Sequence, residues 1–320
     1  LRVIVHLQEV FPMKKAVLLS LALSLSLPLG AAFAAPAPVR AASPAAIVQQ
    51  KQAAPAVSVQ KLAIGTVTTY DYGNIKMYAY ATNDPLSDEC YALESKDGVV
   101  LLESTILTDN INEWSQFVKT LDKPVVAELM SYHPNGYAAY GKHPIYATPH
   151  ALQSWQPGGG VYAIVGNLEK AFGSAADTSM PAKAKKLTAG KDITLAGIRF
   201  HIIDAGDDAY SVEIPQINAC YRHMMRSDVH NILASRQQIA QDIQTLKGYQ
   251  QKGYDLILTG HYKPEGQTAV AQKIQYLQKV QELAETCQTK DEFQQRVKEA
   301  FPNYQGESYL AMTASFLYQR

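Results

Sequence analysis

The stretch that decides the fold is MSYHPNGYAAYG, Met130 to Gly141. Ahead of it Pro124 to Leu129, PVVAEL, is a short β-branched run that predicts a strand. The polar cluster from Ser131 to Gly136 therefore falls at a strand's carboxyl end, where α/β sheets place their chemistry. Behind it KHPIYATPHALQ predicts another short strand and a turn.

Upstream, Ile75 to Ala81 (IKMYAYA) alternates in hydrophobicity. Cys90 to Leu93, with Lys96, Asp97 and Gly98 as the turn before VVLLE, predicts a hairpin. Ile111, Trp114, Phe117, Val118 and Leu121 recur at helical spacing, with Asp109 as the expected N-cap. Downstream, an insertion from Gln156 to Lys191 interrupts the pattern. Its Gly158 to Gly160 run lacks the GK[ST] of a phosphate loop and carries no helix signal, and the AKAKK run at 182–186 is expected as a solvated turn. DITLAGIRFHIIDAG predicts two strands joined at Ala196 and Gly197, NACYRHMMRSDVHNIL a strand, and Arg236 to Lys252 an amphipathic helix. YDLILTGHYKP predicts a buried strand ending in Gly260 and His261. The tail is helical, with Thr289 and Glu292 as a capping box.

This order, with a strand, SxHPN, small residues and an IYATP strand, resembles the metallo-β-lactamase superfamily. The resemblance runs from about Ile75 to Lys279 and implies an α+β fold, the αββα four-layer sandwich, with extra C-terminal helices. Active relatives hold two zinc ions, four ligands coming from an HxHxDH loop whose positions here are Ser131, His133, Asn135 and Gly136. A supporting acid at the end of the hairpin corresponds to Glu103. A further histidine is replaced in the Asp207 to Ala209 turn, and the bridging Asp and last His match Asp228 and His261. The implied metal set is then His133, Asp228 and His261, two histidines and a carboxylate, with Asp228 also the candidate catalytic group. Such a set holds one Zn²⁺ or Fe²⁺ weakly, or none. If the Asp228 segment is a strand, His230 shares the face of Asp228 and is a further ligand candidate, whereas His223 points away. The expected pocket is Ser131, Tyr132, Asn135, Gly136, Tyr137 and Tyr140, with Glu103 beneath.

The chain has 320 residues and a net charge of +0, which gives no electrostatic case for nucleic acid. Met13, Lys14 and Lys15, the apolar AVLLSLALSLSLPLG and the AFA ending at Ala34 have the three parts of a secretory signal, with residues 1–12 upstream of it. Export to the periplasm or medium is the expectation, with no membrane span after cleavage. Residues 35–60, rich in Ala, Pro and Gln, are expected as a disordered tether, and residues 61–320 as the folded domain. Cys90, Cys220 and Cys287 share no metal spacing; at most one pair can form, and Cys90 and Cys220, in strand-like surroundings, are expected as small buried hydrophobes rather than a disulfide.

Two function classes follow. Asn at 135 removes a carboxylate charge and Gly at 136 removes a ligand, which favours an exported protein with a degenerate metal site that binds a small-molecule ligand. The alternative is a mononuclear metal-dependent hydrolase of an ester, lactone or amide.

Overall fold

The computed structural model describes residues 54–204 and 210–318. The signal at Met13 to Ala34, most of the tether, and the Asp207 to Ala209 turn lie outside the described residues. Among the described residues no helix is long and apolar enough to cross a membrane.

Strand β1, Ala56–Lys61, opens the domain, which corrects the tether's expected end: the β-branched Val57 and Val59 alternate and pair antiparallel with β2, Thr66–Asp71. β3 (Lys76–Ala81), β4 (Glu89–Ser95) and β5 (Gly98–Leu102) continue as an antiparallel meander. Helix α1, Thr108–Thr120, carries the chain over to β6, Val125–Leu129, which pairs parallel with β5. Its N-cap is Leu107, and Asp109 sits one residue inside, where its charge favours the helix dipole. β7 (Ile145–Ala147) follows the His133 loop, which includes a 3₁₀ turn at Tyr137–Tyr140.

The insertion is more ordered than its sequence suggests. After α2, Pro149–Ser154, the helix α3 spans Gly160–Phe172 and opens directly from the Gly158 to Gly160 run. Val161 and Val165 are buried against the core, and this tertiary burial outweighs the poor propensity of the glycines. Lys185–Lys186 is not a free turn but a two-residue strand, β8, at the sheet's far edge.

The first sheet thus has the order β1-β2-β3-β4-β5-β6-β7-β8. The second contains β9 (Asp192–Leu195), β10 (Ile198–Asp204), β11 (Tyr210–Ile214), β12 (Ala219–Tyr221) and β13 (Leu256–Leu258), in the order β13-β12-β11-β10-β9. Helix α4, Arg236–Lys252, connects β12 to β13, and α5 (Gln267–Thr286), α6 (Lys290–Ala300) and α7 (Glu307–Leu317) close the chain.

The period of two along each strand assigns the layers. Met77, Tyr91, Leu93, Val100 and Leu102 face Phe200, Val212, Tyr221 and Leu258 across one core between the sheets. Their alternates Tyr78, Tyr80, Cys90, Val99 and Leu101 pack under Trp114 and Val118 of α1. Cys220 and Ile257 pack under the helices α4 to α7. Helix, sheet, sheet, helix is the expected αββα sandwich. All three cysteines are buried and unpaired.

Candidate metal centre

Three histidines meet at the carboxyl ends of β6, β12 and β13. Each of His133, His223 and His261 offers a ring nitrogen within 4.8 Å of the others. Their ring centroids form a nearly equilateral triangle, with sides of 5.0, 4.8 and 5.0 Å and interplanar angles of 84°, 80° and 73°. Three imidazoles set nearly edge to face around one point match a three-histidine cation site with an open position.

His133 is held from below. The Glu103 carboxylate, at the end of β5, accepts hydrogen bonds from the backbone N–H groups of Ser131 (2.7 Å), Tyr132 (3.2 Å) and His133 (2.7 Å). Glu103 is 1% exposed and has a φ of 60°, a left-handed conformation that a residue with a Cβ seldom adopts. The glutamate side chain, one methylene longer than an aspartate, reaches the backbone N–H groups of the loop. Burial pushes the carboxyl up to about 7, against the pull of the three N–H donors.

His223 follows β12. The Arg222 N–H donates to the Leu258 carbonyl and the Gly260 N–H to the His223 carbonyl, both at 2.9 Å, so the chain segments after β12 and β13 stay side by side. The Tyr132 ring lies 3.9 Å from the His223 ring, tilted by 31°. Gly260 is required by this close approach: a Cβ there would lie 2.9 Å from His223 Nδ1, 3.1 Å from the Tyr221 hydroxyl and 3.2 Å from His133 Cε1.

His261 is oriented by its second nitrogen. Nδ1 lies 3.0 Å from the Leu86 carbonyl and 3.1 Å from Oδ1 of buried Asp88, whose other oxygen accepts from the Thr105 hydroxyl at 3.0 Å. That partnership leaves Nε2 for the triangle, as in a carboxylate-histidine-metal relay. Burial opposes charge on all three rings and draws His133 down to about 4 and His223 well below its ordinary value. Pairing with Asp88 outweighs burial for His261 and raises it.

The residues fit a metal. Nδ1 of His133 and Nδ1 of His223 are buried with no hydrogen-bond partner among the described residues, which is costly unless something else engages the rings. Neutral imidazoles are the form a transition metal binds.

Sequence reasoning brought His133 and His261 together and missed His223. The period-two argument fails there because β12 stops at Tyr221, so alternation no longer assigns faces beyond it. Asp228 is not in the cluster: its carboxylate pairs with Arg226, Nε to Oδ1 at 2.6 Å, and its backbone carbonyl accepts from Gln305. His230 lies in the helical layer, with Nδ1 3.1 Å from the Tyr276 hydroxyl and its ring beside Tyr304.

The other positions of the loop are structural. The Ser131 hydroxyl donates to the Tyr210 carbonyl (2.8 Å) and accepts from the Tyr210 N–H (2.7 Å), tying β6 to β11. Asn135 Nδ2 donates to the carbonyls of Asp177 and Ser179, and the Gly136 N–H to the Asp177 carboxylate, which anchors the insertion. Tyr140 packs on the core under α1, and Tyr137 on the core between the sheets. Of the expected pocket, Tyr132 touches the histidines and Glu103 underlies them.

The architecture has counterparts among solved structures. A beta-lactamase domain protein from Burkholderia ambifaria matches with a TM-score of 0.56 at 13% identity, over 78% of this chain and 86% of that one. A metallo-beta-lactamase family protein from Thermus thermophilus gives 0.54 at 12% identity, over 77% and 92%. The chain has the metallo-β-lactamase fold. Pisa1, an inverting sec-alkylsulfatase from Pseudomonas sp., shares that fold with a TM-score of 0.51 at 16% identity; 79% of this chain is covered but only 48% of Pisa1, so the chain spans about half that enzyme's length. No protein-family model and no curated protein matches the chain. The candidate donor set of this chain is three imidazoles, in place of the expected His133, Asp228 and His261.

Proposed function

We propose that the chain is a single-metal hydrolase on the metallo-β-lactamase fold, exported by the signal at Met13 to Ala34. The observation that carries this reading is the triangle of His133, His223 and His261, two of whose rings are buried with an unpartnered nitrogen. Three imidazoles suit zinc, and zinc with an open position polarises a carbonyl and lowers the pKa of water. The triad would hold the ion, with Asp88 and Thr105 fixing the tautomer of His261 and Glu103 fixing the turn that presents His133. The reaction adds the oxygen of water to an acyl carbon and breaks the acyl bond to oxygen or nitrogen. The electron pair leaves with the alcohol or amine, which takes up a proton.

The site is degenerate relative to a dinuclear one because Ser131, Asn135 and Gly136, the positions of the missing ligands, are engaged in holding the fold. One observation favours a second reading, a ligand-binding protein: among the described residues, no carboxylate joins the three imidazoles. A panel of activated esters, lactones and amides, assayed before and after chelator and again after zinc is restored, separates the two. Turnover that disappears and returns with zinc supports the hydrolase. Metal binding without turnover of any class supports the binding protein.

A further inference from the structure

A cavity of about 920 Å³ has His223, one of the three histidines, in its wall. That volume is within the range that accommodates small organic ligands. Its lining mixes apolar side chains, Met225, Val229 and Ile232, with three cations, Arg222, Arg226 and Lys273. Two of the cations are already matched. Arg222 lies 3.3 Å from Asp242, and Arg226 lies 2.6 Å from Asp228.

Lys273 is different. It is 2% exposed, and no carboxylate among the described residues forms an ion pair with it. Its ammonium donates to the Val229 carbonyl at 2.5 Å and sits 4.6 Å from the Tyr276 ring. Glu265 acts on it only at longer range, because that carboxylate accepts from the Ser227 N–H and hydroxyl. Asp242 and Asp228 are likewise held by their arginines. The Lys273 amine is buried against one carbonyl and the rings of Tyr276 and Tyr304 with no carboxylate partner; burial draws it down to about 7, and an anion seated in the cavity would complete its shell and hold it charged.

We propose that this cavity binds a singly charged oxyanion, a carboxylate or sulfate group on an apolar body. Lys273 is its counter-ion, and Met225, Val229 and Ile232 contact the body, which reaches His223. The inference rests on the hydrolase reading in one respect: it makes the substrate an anionic amphiphile cleaved at the His223 end of the cavity.

The test is binding of octanoate, octyl sulfate and 1-octanol, each below its aggregation limit, to the full chain stripped of metal, by calorimetry. Either anion is expected to bind about tenfold or more tighter than the alcohol, as a charge-assisted contact implies. Lys273→Met is expected to abolish that preference while keeping the affinity for octanol. Equal affinities in the wild type, a comparison that needs no variant, would overturn the assignment, as would a preference that persists in Lys273→Met. Whichever anion binds tighter identifies the head group. Metal content is measured on the same preparations before stripping. A preserved anion preference without any metal binding would remove the hydrolase reading and leave the cavity. Metal binding without the preference would do the reverse.

Discussion

The backbone N–H of His133 donates to the carboxylate of Glu103 at 2.7 Å, so the first histidine of the candidate metal centre is positioned by a buried acid from the end of β5. Replacing Glu103 with Ala leaves the N–H groups of Ser131, Tyr132 and His133 without their acceptor, and a loss of about 3 kcal/mol or more is expected in urea unfolding. Zinc affinity should fall with it.

Glu103 also makes a pH prediction. Its folded pKa of about 7 is raised above that of an unfolded glutamate, so its contribution is fully present below about pH 4.3 and is lost as pH rises through 7. Glu103→Gln removes that titration. Metal-free wild type should therefore lose stability relative to Glu103→Gln between pH 5 and pH 8, read as the difference in urea midpoints. A difference that is flat with pH would show that the carboxyl is ionised throughout.

Ser131 stands where a dinuclear relative carries a ligand, yet its hydroxyl bridges to both backbone groups of Tyr210. Ser131→Ala is expected to cost about 1–3 kcal/mol of stability, since two buried backbone groups lose a partner. Metal stoichiometry should be unchanged. A variant of normal stability that binds less zinc would return Ser131 to the metal site.

Gly260→Ala tests the packing of the triad. The added methyl has only 2.9 Å to His223 Nδ1 and 3.2 Å to His133 Cε1, so one ring must shift. Overpacking of this kind costs about 1–3 kcal/mol. The larger effect should be on zinc affinity, measured by competition with a chelator.

Asp88→Asn keeps the shape and the bond from Thr105 but removes the charge facing His261 Nδ1. Zinc affinity is expected to drop about 10- to 100-fold, as for other outer partners of a ligating histidine, with a small change in stability. Unchanged affinity would mean that the Leu86 carbonyl alone orients the ring.

Most of the sandwich was legible because its signals are local. Alternation in IKMYAYA sorts its residues between the core under α1 and the core between the sheets, the KDG turn joins two paired strands, and the helical spacing of Arg236 to Lys252 reflects one-sided burial; the described strands and helix follow them. The β1 strand was missed because its residues are all exposed, so burial left no mark on its sequence. Within the site, His133 and His261 each follow a clear strand. His223 comes after a three-residue strand, in an irregular segment where neither period applies, and Asp228 held a ligand's place in the order of motifs while its charge was taken by Arg226 two residues before it. The signal available for His223 was chemical rather than periodic: a histidine beside a GH pair only once the two strands are known to be neighbours.

Elemental analysis of protein purified without chelator decides whether His133, His223 and His261 hold a single metal. Wild type and Asp228→Asn are expected to carry one equivalent of zinc per chain, and His223→Ala to lose it. Two tightly held equivalents in the wild type, or full retention in His223→Ala with loss in Asp228→Asn, would contradict the account.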